Sequence, residues 1–449
     1  MSTALIILAA GQGTRMMSDL PKVLHQIAGA PLFAHAMASG AALLPEKTIL
    51  IAGHGADEVR QAALDIDEDV EVILQEEQLG TGHAVAQARA ALAGFEGNAF
   101  VLYGDTPFIQ PETLERMAEA RQHHDVVVLG FEAADPGRYG RLVMQGDVLE
   151  RIVEFKDASD QERAITLCNS GVICADASVL FDLVSQVGND NAAGEFYLTD
   201  IVAIASQAGL SATAVSCDEA ETLGINSRAE LARGEAAFQA RARAEALDTG
   251  VTLIAADTVY FSHDTLIGRD AIIEPNVVFG PGVTVETGAR IRAFSHLEGC
   301  HVSTGAIVGP YARLRPGAEL ANNARVGNFV EIKNAQIGEG AKVGHLSYIG
   351  DATLGDACNI GAGTITCNYD GVFKHHTEIG ESAFIGSNTM LVAPVSVGDH
   401  ALTASGAVIT SDVPAEALAI SRAKQVNKPG LGRRLMDKLK AAKAAQKKV

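Results

Sequence analysis

The chain has 449 residues, of which 47% are hydrophobic and 20% are charged, as in a globular protein of two or three domains. Its formal charge of −20 and its lack of tryptophan disfavour nucleic-acid binding, which needs positive charge and stacking aromatics. The six cysteines form no pair with a two-residue gap, which suits unpaired thiols in the cytoplasm. No apolar run reaches the ~18 residues of a membrane span.

The first half of the chain alternates short apolar, β-rich runs with stretches of helical length. This alternation predicts an α/β domain of Rossmann-like type, with a mostly parallel sheet covered by helices on both faces. Strands and helices are predicted in turn at Leu5–Ala9, Pro31–Leu44, Thr48–Ala52, Ala56–Leu64, Val70–Leu74, Thr81–Leu92, Ala99–Tyr103, Pro111–His123 and Val126–Gly130.

Residues 229–249 are rich in Ala, Glu and Arg and contain no Pro, so they predict a solvent-exposed helical arm that Gly250 ends. From Ile267 to Ile409 a six-residue period, shortened by three five-residue steps, places an apolar residue at 22 of 23 positions. A hexapeptide period is typical of a parallel β-helix. The segment Thr364–Glu378 interrupts the period and is expected to project as a loop.

We therefore expect domains at 1–228 and 250–421, joined by the arm at 229–249 and followed by a basic tail at 422–449. From Leu431 onward the tail carries seven Lys or Arg residues against one Asp. A solvated, frayed terminus is the plainer interpretation of such a tail.

The segment Leu8–Met16 directly follows the first predicted strand. Gly11 and Gly13 allow a tight turn whose backbone N–H groups can face an anion, and Arg15 and Lys22 add positive charge. The segment lacks the third glycine of a dinucleotide fingerprint and the Gly-Lys-Ser/Thr of a P-loop. It therefore predicts a phosphate-binding loop.

This loop resembles that of the sugar-nucleotide pyrophosphorylases, whose pattern L-A-A-G-x-G-T-R-M is followed by Pro-Lys, here Pro21–Lys22. Further motifs follow in that family's order: QLGTGHA at Gln78–Ala84, YGD at Tyr103–Asp105, YGR at Tyr139–Arg141, IVEFKDA at Ile152–Ala158, NSG at Asn169–Gly171 and GINSR at Gly224–Arg228.

The resemblance implies a role for each matched position. Asp105 and Asn226 would ligate Mg²⁺, whose preferred ligands are oxygens, and Arg15 with Lys22 would stabilise the charge on the transferred phosphates. Gln75, Gly80 and Thr81 would recognise uracil, Gln75 through paired hydrogen bonds. The remaining contacts to the nucleotide and the amino sugar would come from Leu8, Ala9, Ala10, Gly11, Tyr103, Gly104, Gly140, Glu154 and Asn169.

The β-helix also carries reactive groups, in RLRPGAEL (Arg313–Leu320), VGNFVEIKNA (Val326–Ala335), VGHLSYIGDA (Val343–Ala352) and CNIGAGTITCNYDG (Cys358–Gly371). With both halves considered, the chain resembles the family of bifunctional N-acetylglucosamine-1-phosphate uridylyltransferases and glucosamine-1-phosphate acetyltransferases. That resemblance implies left-handed coils, a homotrimer, UTP and acetyl-CoA as co-substrates, and a place in peptidoglycan and lipopolysaccharide biosynthesis.

The resemblance implies that His345 is the base that takes a proton from the substrate ammonium, a role suited to histidine near neutral pH. Arg315 and Lys333 would hold the sugar phosphate, and Tyr348 and Asn359 would place the sugar. Acetyl-CoA would contact Ala362, Asn368, Tyr369, Ser387, Ser405 and Arg422, although Ser405 stands where the family has alanine. His296 and His301 do not complete the zinc pattern of the β-helix carbonic anhydrases.

Two alternatives to a two-site enzyme remain at this stage. One is a sugar-1-phosphate nucleotidyltransferase that uses the β-helix only as a scaffold, which His345 and its neighbours argue against. The other is a binding or regulatory subunit with a decayed loop, which the intact Arg15, Lys22, Asp105 and Asn226 argue against.

Overall fold

The computed structural model describes residues 2–446 and divides into two compact units. The first contains the residues up to Ala242 together with Phe261–His263, and the second contains Arg243–Tyr260 and the residues from Asp264 onward. No helix among residues 2–446 is long and apolar enough to cross a membrane.

The first unit is built on a mixed sheet with helices on its faces. Its strands are β1 (Thr3–Ala9), β2 (Gln26–Ile27), β3 (Ala30–Pro31), β4 (Lys47–Ala52), β5 (Glu71–Leu74), β6 (Asn98–Tyr103), β7 (Val126–Glu132), β8 (Arg141–Gln145), β9 (Val148–Val153), β10 (Leu167–Asp176) and β11 (Ala212–Cys217). Its helices are α1 (Leu32–Ala41), α2 (Ala56–Ile66), α3 (Thr81–Gln87), α4 (Pro111–Ala120), α5 (Asp160–Arg163), α6 (Ala177–Val184), α7 (Asp200–Gln207) and the start of α8 (Arg228–Asp248).

The strand order in the main sheet is β11-β7-β10-β6-β1-β4-β5. Strands β6, β1, β4 and β5 run parallel, and β10 is antiparallel to both β6 and β7. Along β1, successive side chains enter the hydrophobic cores on opposite faces of the sheet, as the period of two requires. The predicted α/β class and the predicted elements are confirmed.

The sheet topology places a crevice beside β1. The chain passes from β1 to β4 and β5 on one side, then returns to add β6 on the other side of β1. At such a switch point the loops leave the carboxyl ends of neighbouring strands in opposite directions, which opens the usual ligand crevice of an α/β sheet.

Helix α8 differs from the exposed arm that its composition predicts. Phe238 joins a core with Ile27, Leu32 and Phe108, and the buried Gln239 donates from Nε2 to the Phe261 oxygen at 2.7 Å. The helix ends at Asp248, and Gly250 follows with φ of 91°, as predicted. The expectation of full exposure is wrong because one side of the helix carries these buried side chains.

The second unit is a parallel β-helix whose short strands stack coil upon coil. Its strands are β12 (Thr252–Leu253), β13 (Leu266–Ile267), β14 (Ile272–Ile273), β15 (Val278–Phe279), β16 (Val283–Val285), β17 (Arg290–Ile291), β18 (His296–Leu297), β19 (Cys300–Val302), β20 (Ile307–Val308), β21 (Arg313–Leu314), β22 (Ala318–Leu320), β23 (Arg325–Asn328), β24 (Glu331–Ile337), β25 (Lys342–His345), β26 (Tyr348–Leu354), β27 (Asn359–Ile360), β28 (Ile365–Cys367), β29 (Thr377–Ile379), β30 (Phe384–Ile385), β31 (Met390–Val392), β32 (Val395–Val397), β33 (Leu402–Thr403), β34 (Val408–Ile409) and β35 (Leu418–Ala419).

The hexapeptide period is confirmed by burial. Of its 23 positions, 22 are buried and Ile267 is half-buried. The exception to apolar character, Thr403, is also buried, and its hydroxyl accepts a hydrogen bond from the Gly386 N–H at 3.0 Å. The left-handed parallel β-helix is therefore the fold of this unit.

The protruding loop is shorter than predicted. Strands β28 and β29 keep both ends of Thr364–Glu378 within the coils, and Thr364, Thr366 and Thr377 are buried. Only about the stretch from Asn368 to His376 leaves the stack.

In the tail, residues 431–446 form helix α9 (Leu431–Gln446) with no buried residue. Residues 447–449 of the predicted tail lie outside the described part.

Candidate active sites

The glycine-rich loop leaves the end of β1 with the tight geometry that its sequence predicts. Gly13 adopts the left-handed conformation with φ of 63°, and a Cβ there would collide with the Cβ of Lys22. Thr14–Met16 then form one turn of 3-10 helix. Arg15 is exposed on this turn and lies outside the crevice lining, whereas Lys22 points into the crevice.

A crevice of about 340 Å³ lies at the carboxyl ends of β1 and β6. Ten of the residues predicted for the nucleotide, the sugar and the metal line it: Leu8, Ala9, Ala10, Gly11, Lys22, Gln75, Gly80, Thr81, Tyr103 and Asp105. Positions from three separate motifs, together with Gln75, thus meet at the switch point of the sheet.

The two predicted metal ligands lie on either side of one lysine. The Ile225 N–H donates to the backbone carbonyl oxygen of Asp105 at 2.9 Å, which brings the GINSR turn to the end of β6. Lys22 Nζ is ion-paired with Asp105 and donates to Asn226 Oδ1 at 3.0 Å. A carboxylate and an amide oxygen that share one cation form a donor set suited to a hard divalent metal.

Gln75 is buried at the end of the crevice where a base would lie. Its amide Nε2 donates to the Gly80 oxygen at 3.2 Å and lies 3.0 Å from His83 Nδ1. With Nε2 engaged in this way, Oε1 is the atom that can meet a base. The paired hydrogen bonds between this amide and uracil stay a prediction.

The predicted sugar residues form a second cluster beyond Tyr103. The Asn169 N–H donates to the Gly140 oxygen at 2.8 Å, and a Cβ on Gly140 would lie 3.3 Å from Glu154 Oε1. Burial raises the pKa of Glu154, and burial followed by the Asp105 charge raises the pKa of Tyr103. Thr199, which the motifs do not include, donates to Glu154 Oε1 at 3.2 Å.

In the second unit, predicted acetyl-transfer residues form a single row along one edge of the β-helix. The register pairs Asn328 with His345, Val343 with Ile360, Ile360 with Ile385 and Ile385 with Thr403. The positions two residues further on therefore stack in the order His345, Ala362, Ser387 and Ser405. Arg422 Nη1 donates to the backbone carbonyl oxygen of Ser405 at 2.8 Å and extends this row.

His345 is exposed, and its orientation is set by the neighbouring coil. Its Nδ1 lies 2.6 Å from Asn328 Oδ1. Because an amide oxygen can only accept, Nδ1 is the donor in this contact, and in the neutral imidazole Nε2 is then the accepting nitrogen. Asn328 was not predicted from the sequence, although it precedes His345 by 17 residues, the length of a coil that contains one five-residue step.

The predicted sugar-phosphate residues lie on the next face. Arg315 Nη1 donates to Glu331 Oε1 at 2.9 Å, and Lys333 Nζ lies 3.5 Å from Asp351 Oδ1. Contact with Lys333 lowers the pKa of Lys374, a loop residue that the sequence did not single out. Three cations therefore converge here.

Asp351 anchors this cluster. Burial opposes its ionisation, but hydrogen bonds from Asn334 and Asn368, together with the Lys333 charge, hold the pKa of Asp351 below its usual range. Asn368 is buried and also lies 3.4 Å from the Tyr348 hydroxyl. The side chain of Asn368 thus faces this cluster, while Tyr369 is exposed on the loop.

Asn359 lies in β27, paired with Lys342 of the preceding coil, on the sheet that carries His345. Tyr348 pairs with Glu331 on the face of the cations. The predicted sugar ligands therefore approach from both sides of the corner that follows His345.

Comparison with known proteins adds two family matches. The MobA-like NTP transferase domain matches residues 5–169, and the bacterial transferase hexapeptide (six repeats) matches residues 264–299 and 376–411. A solved UDP-glucose pyrophosphorylase complexed with UDP-glucose covers 54% of this chain and 100% of its own, with 19% identity and a TM-score of 0.45, which is too remote to bear on function.

Full-length relatives decide the family. Bifunctional protein GlmU of Ruegeria sp. strain TM1040 is 71% identical over 448 residues, covering 100% of both chains. Those of Ruegeria pomeroyi and Jannaschia sp. strain CCS1 are 70% and 66% identical, covering 100% and 99% of this chain and 100% and 98% of their own. The chain belongs to the GlmU family. Membership confirms the predicted bifunctional transferase, with a nucleotidyltransferase half and a hexapeptide half.

Proposed function

We propose that this GlmU-family chain acetylates glucosamine-1-phosphate with acetyl-CoA and then joins the product to UTP, giving UDP-N-acetylglucosamine and pyrophosphate. The observation that carries the proposal is the separation of two sets of reactive groups. One set lines the crevice at the end of β1, and the other follows one edge of the β-helix. A β-helix used only as a scaffold would need no such set.

In uridylyl transfer, a phosphate oxygen of the sugar phosphate attacks the α-phosphorus of UTP, and pyrophosphate leaves. Gly11 and the loop after it would hold the phosphates through backbone N–H groups. Lys22 would neutralise charge on them, and Gln75 Oε1 would accept the N3–H of uracil. Arg15 would reach the leaving pyrophosphate from the exposed turn, so its proposed role requires the loop to close over the nucleotide.

Asp105 and Asn226 would hold Mg²⁺, because a carboxylate and an amide oxygen already share a cation there. When bound, the metal would neutralise charge on the transferred phosphoryl group. At the sugar end of the site, Glu154 and Asn169 would form hydrogen bonds with the amino sugar. Thr199 would hold Glu154 in place.

In acetyl transfer, His345 Nε2 would take a proton from the substrate ammonium. The freed amine then attacks the thioester carbonyl and the carbon–sulfur bond breaks. The proton held on Nε2 passes to the departing sulfur, and the second proton that the amine nitrogen loses in becoming an amide is released to water. The fixed tautomer supports this role, because Asn328 leaves Nε2 as the accepting nitrogen. Arg315, Lys333 and Lys374 would hold the phosphate, and acetyl-CoA would extend along the row from Ala362 to Arg422.

We propose that the acetyl site is completed by a second copy of the chain in a homotrimer. Phe294, Tyr311, Phe329 and Leu346 are 51%, 47%, 57% and 61% exposed, and the first three rings stack with centroids 4.9 and 5.3 Å apart. Two members of this apolar column directly follow Asn328 and His345 in the chain. Exposed apolar columns of this size favour coverage in an assembly.

A cytoplasmic location is proposed from the co-substrates and the six unpaired cysteines.

The test supplies the chain with glucosamine-1-phosphate, acetyl-CoA, UTP and Mg²⁺ and then omits each component in turn. Without UTP the expected product is N-acetylglucosamine-1-phosphate, and without acetyl-CoA no UDP-N-acetylglucosamine forms unless the acetylated sugar phosphate is added. Formation of a nucleotide sugar without any acetylation would contradict the proposal.

A further inference from the structure

One side chain occupies the place between the two groups assigned to the metal. Lys22 Nζ is ion-paired with the Asp105 carboxylate and donates to Asn226 Oδ1 at 3.0 Å. The Lys22 and Asp105 side chains are only 12% and 18% exposed, so the pair is well shielded from water. The ammonium group therefore contacts one oxygen of each of the two side chains.

A divalent cation at these side chains competes with the ammonium of Lys22. Lys22 Nζ contacts Asp105 Oδ2 and Asn226 Oδ1, and Mg²⁺ requires its oxygen ligands at ~2.0–2.1 Å. A metal bound to the same side chains would therefore lie close to Nζ. The two positive charges would repel each other, the more strongly because the Lys22 and Asp105 side chains are largely shielded from water. Metal binding is therefore favoured when the lysine moves away.

The same side chain already lies beside the phosphate loop. A Cβ on Gly11 would lie 3.9 Å from Lys22 Nζ, and Gly13 packs against the Lys22 Cβ. A phosphate cradled by the loop would thus present its oxygens within a short side-chain rotation of Nζ. Such a phosphate offers the ammonium a new anionic partner while it releases Asp105 and Asn226.

We propose that Lys22 is an internal placeholder cation that keeps the metal ligands occupied until nucleotide phosphate draws it away. Metal and nucleotide binding are then positively coupled, and the nucleotide-free chain binds divalent metal weakly. This inference rests on the metal site of the proposed function, and it adds the order in which that site becomes available.

The experiment measures Mn²⁺ binding to the full chain through the electron paramagnetic resonance signal of free Mn²⁺, with and without UDP-N-acetylglucosamine. Binding of Mn²⁺ to the nucleotide alone is subtracted. In the wild type, the nucleotide should strengthen Mn²⁺ binding about tenfold or more, which is within the usual range of coupling between sites. In Lys22→Met the nucleotide-free affinity should already be raised by about that factor, and the coupling should be lost.

Three further variants make the result specific. The Mn²⁺ affinity of Lys22→Gln is measured as well as that of Lys22→Met. Two different variants at this position keep the test valid if one of them fails to fold. Arg228→Met removes a positive charge from the same end of the sheet, where Arg228 Nε donates to the Met16 oxygen at 3.3 Å, and should leave the nucleotide-free affinity unchanged. Lys22→Met with Asp105→Asn should lose the tight Mn²⁺ binding.

The outcomes separate the two proposals. The placeholder role is overturned if the wild type and both Lys22 variants bind Mn²⁺ with equal affinity in the absence of nucleotide. The metal site still stands in that case if Mn²⁺ binding in the presence of nucleotide depends on Asp105. Mn²⁺ binding that never depends on Asp105 overturns the metal site and the placeholder role together.

Discussion

In the nucleotidyltransferase unit the reactive groups lie in a crevice with walls on several sides, whereas in the β-helix they lie along one outer edge. Gln75 is 3% exposed and the Asp105 side chain 18%, but His345 is exposed and has the apolar side chain of Leu346 beside it. A switch point in a sheet opens a crevice within one chain, because neighbouring loops diverge there. A stack of coils offers only a convex edge, which becomes a cleft when a second surface covers it.

The comparison predicts that the two activities respond to different substitutions. Asp105→Ala removes the carboxylate of the proposed metal site, so uridylyl transfer should fall by about 10³-fold or more, as when a main charge-stabilising group is lost. Acetyl transfer should stay within about twofold of wild type, since the acetyl-transfer residues belong to the other unit and share no partner with Asp105. Both rates are measured on the same preparation. Parallel loss of both in a folded protein would break the comparison.

The corresponding change in the β-helix is His345→Ala. Acetyl transfer should fall by about 10²–10⁴-fold, the usual contribution of a general base. The KM for glucosamine-1-phosphate should change little, because the cations of Arg315 and Lys333 remain. His296→Ala, an exposed histidine of β18, is the matched control. Retention of more than about a tenth of the rate by His345→Ala would make His345 a packing residue.

Asn328 allows a finer test of the acetyl-transfer site, because its expected role is to orient His345. Asn328→Ala should lower kcat for acetyl transfer by about tenfold, within the range seen when a hydrogen-bonded partner of an active residue is removed. Asn328→Asp keeps an accepting oxygen and should restore much of kcat, while its negative charge moves the acidic limb of the pH profile upward. Equal losses in both variants, with no shift of the pH profile, would reduce Asn328 to a structural role.

The smallest expected effect concerns Lys374. Its pKa is lowered by the contact with Lys333, so its charge is lost at a lower pH than that of an ordinary lysine. The KM for glucosamine-1-phosphate should therefore rise on the alkaline side earlier than an unperturbed lysine would allow. Lys374→Arg keeps the charge and should flatten this rise. An unchanged alkaline limb in Lys374→Arg would remove Lys374 from the phosphate site.

Periodicity and motif order predict the fold because they report on side chains that point inward. Thr403 illustrates this well: it is the polar exception in the hexapeptide period, yet it is buried at the expected position. The convergence of ten of the predicted residues on one crevice has the same kind of cause, because they lie at or after strand ends that the parallel sheet brings to one edge, while their roles stay predictions.

Contacts between elements are harder to predict. The Asn328–His345 pair depends on a coil of 17 rather than 18 residues, and Lys374 lies in a loop where no period applies. The burial of Phe238 depends on the packing of α8 against α1, which a composition rich in helix formers does not reveal. The contact of Gln75 Nε2 with His83 likewise depends on how the first turn of α3 lies beside Gln75.

The central claim is that the protein carries two kinds of site that act independently and are linked by a free intermediate. The direct measurement mixes two inactive single variants, Asp105→Ala and His345→Ala, with glucosamine-1-phosphate, acetyl-CoA, UTP and Mg²⁺. Each variant alone should make almost no UDP-N-acetylglucosamine. The mixture should make it after a lag, because the first variant releases N-acetylglucosamine-1-phosphate and the second consumes it. A mixture as inactive as its separate components, while each variant keeps its remaining activity, would contradict the account.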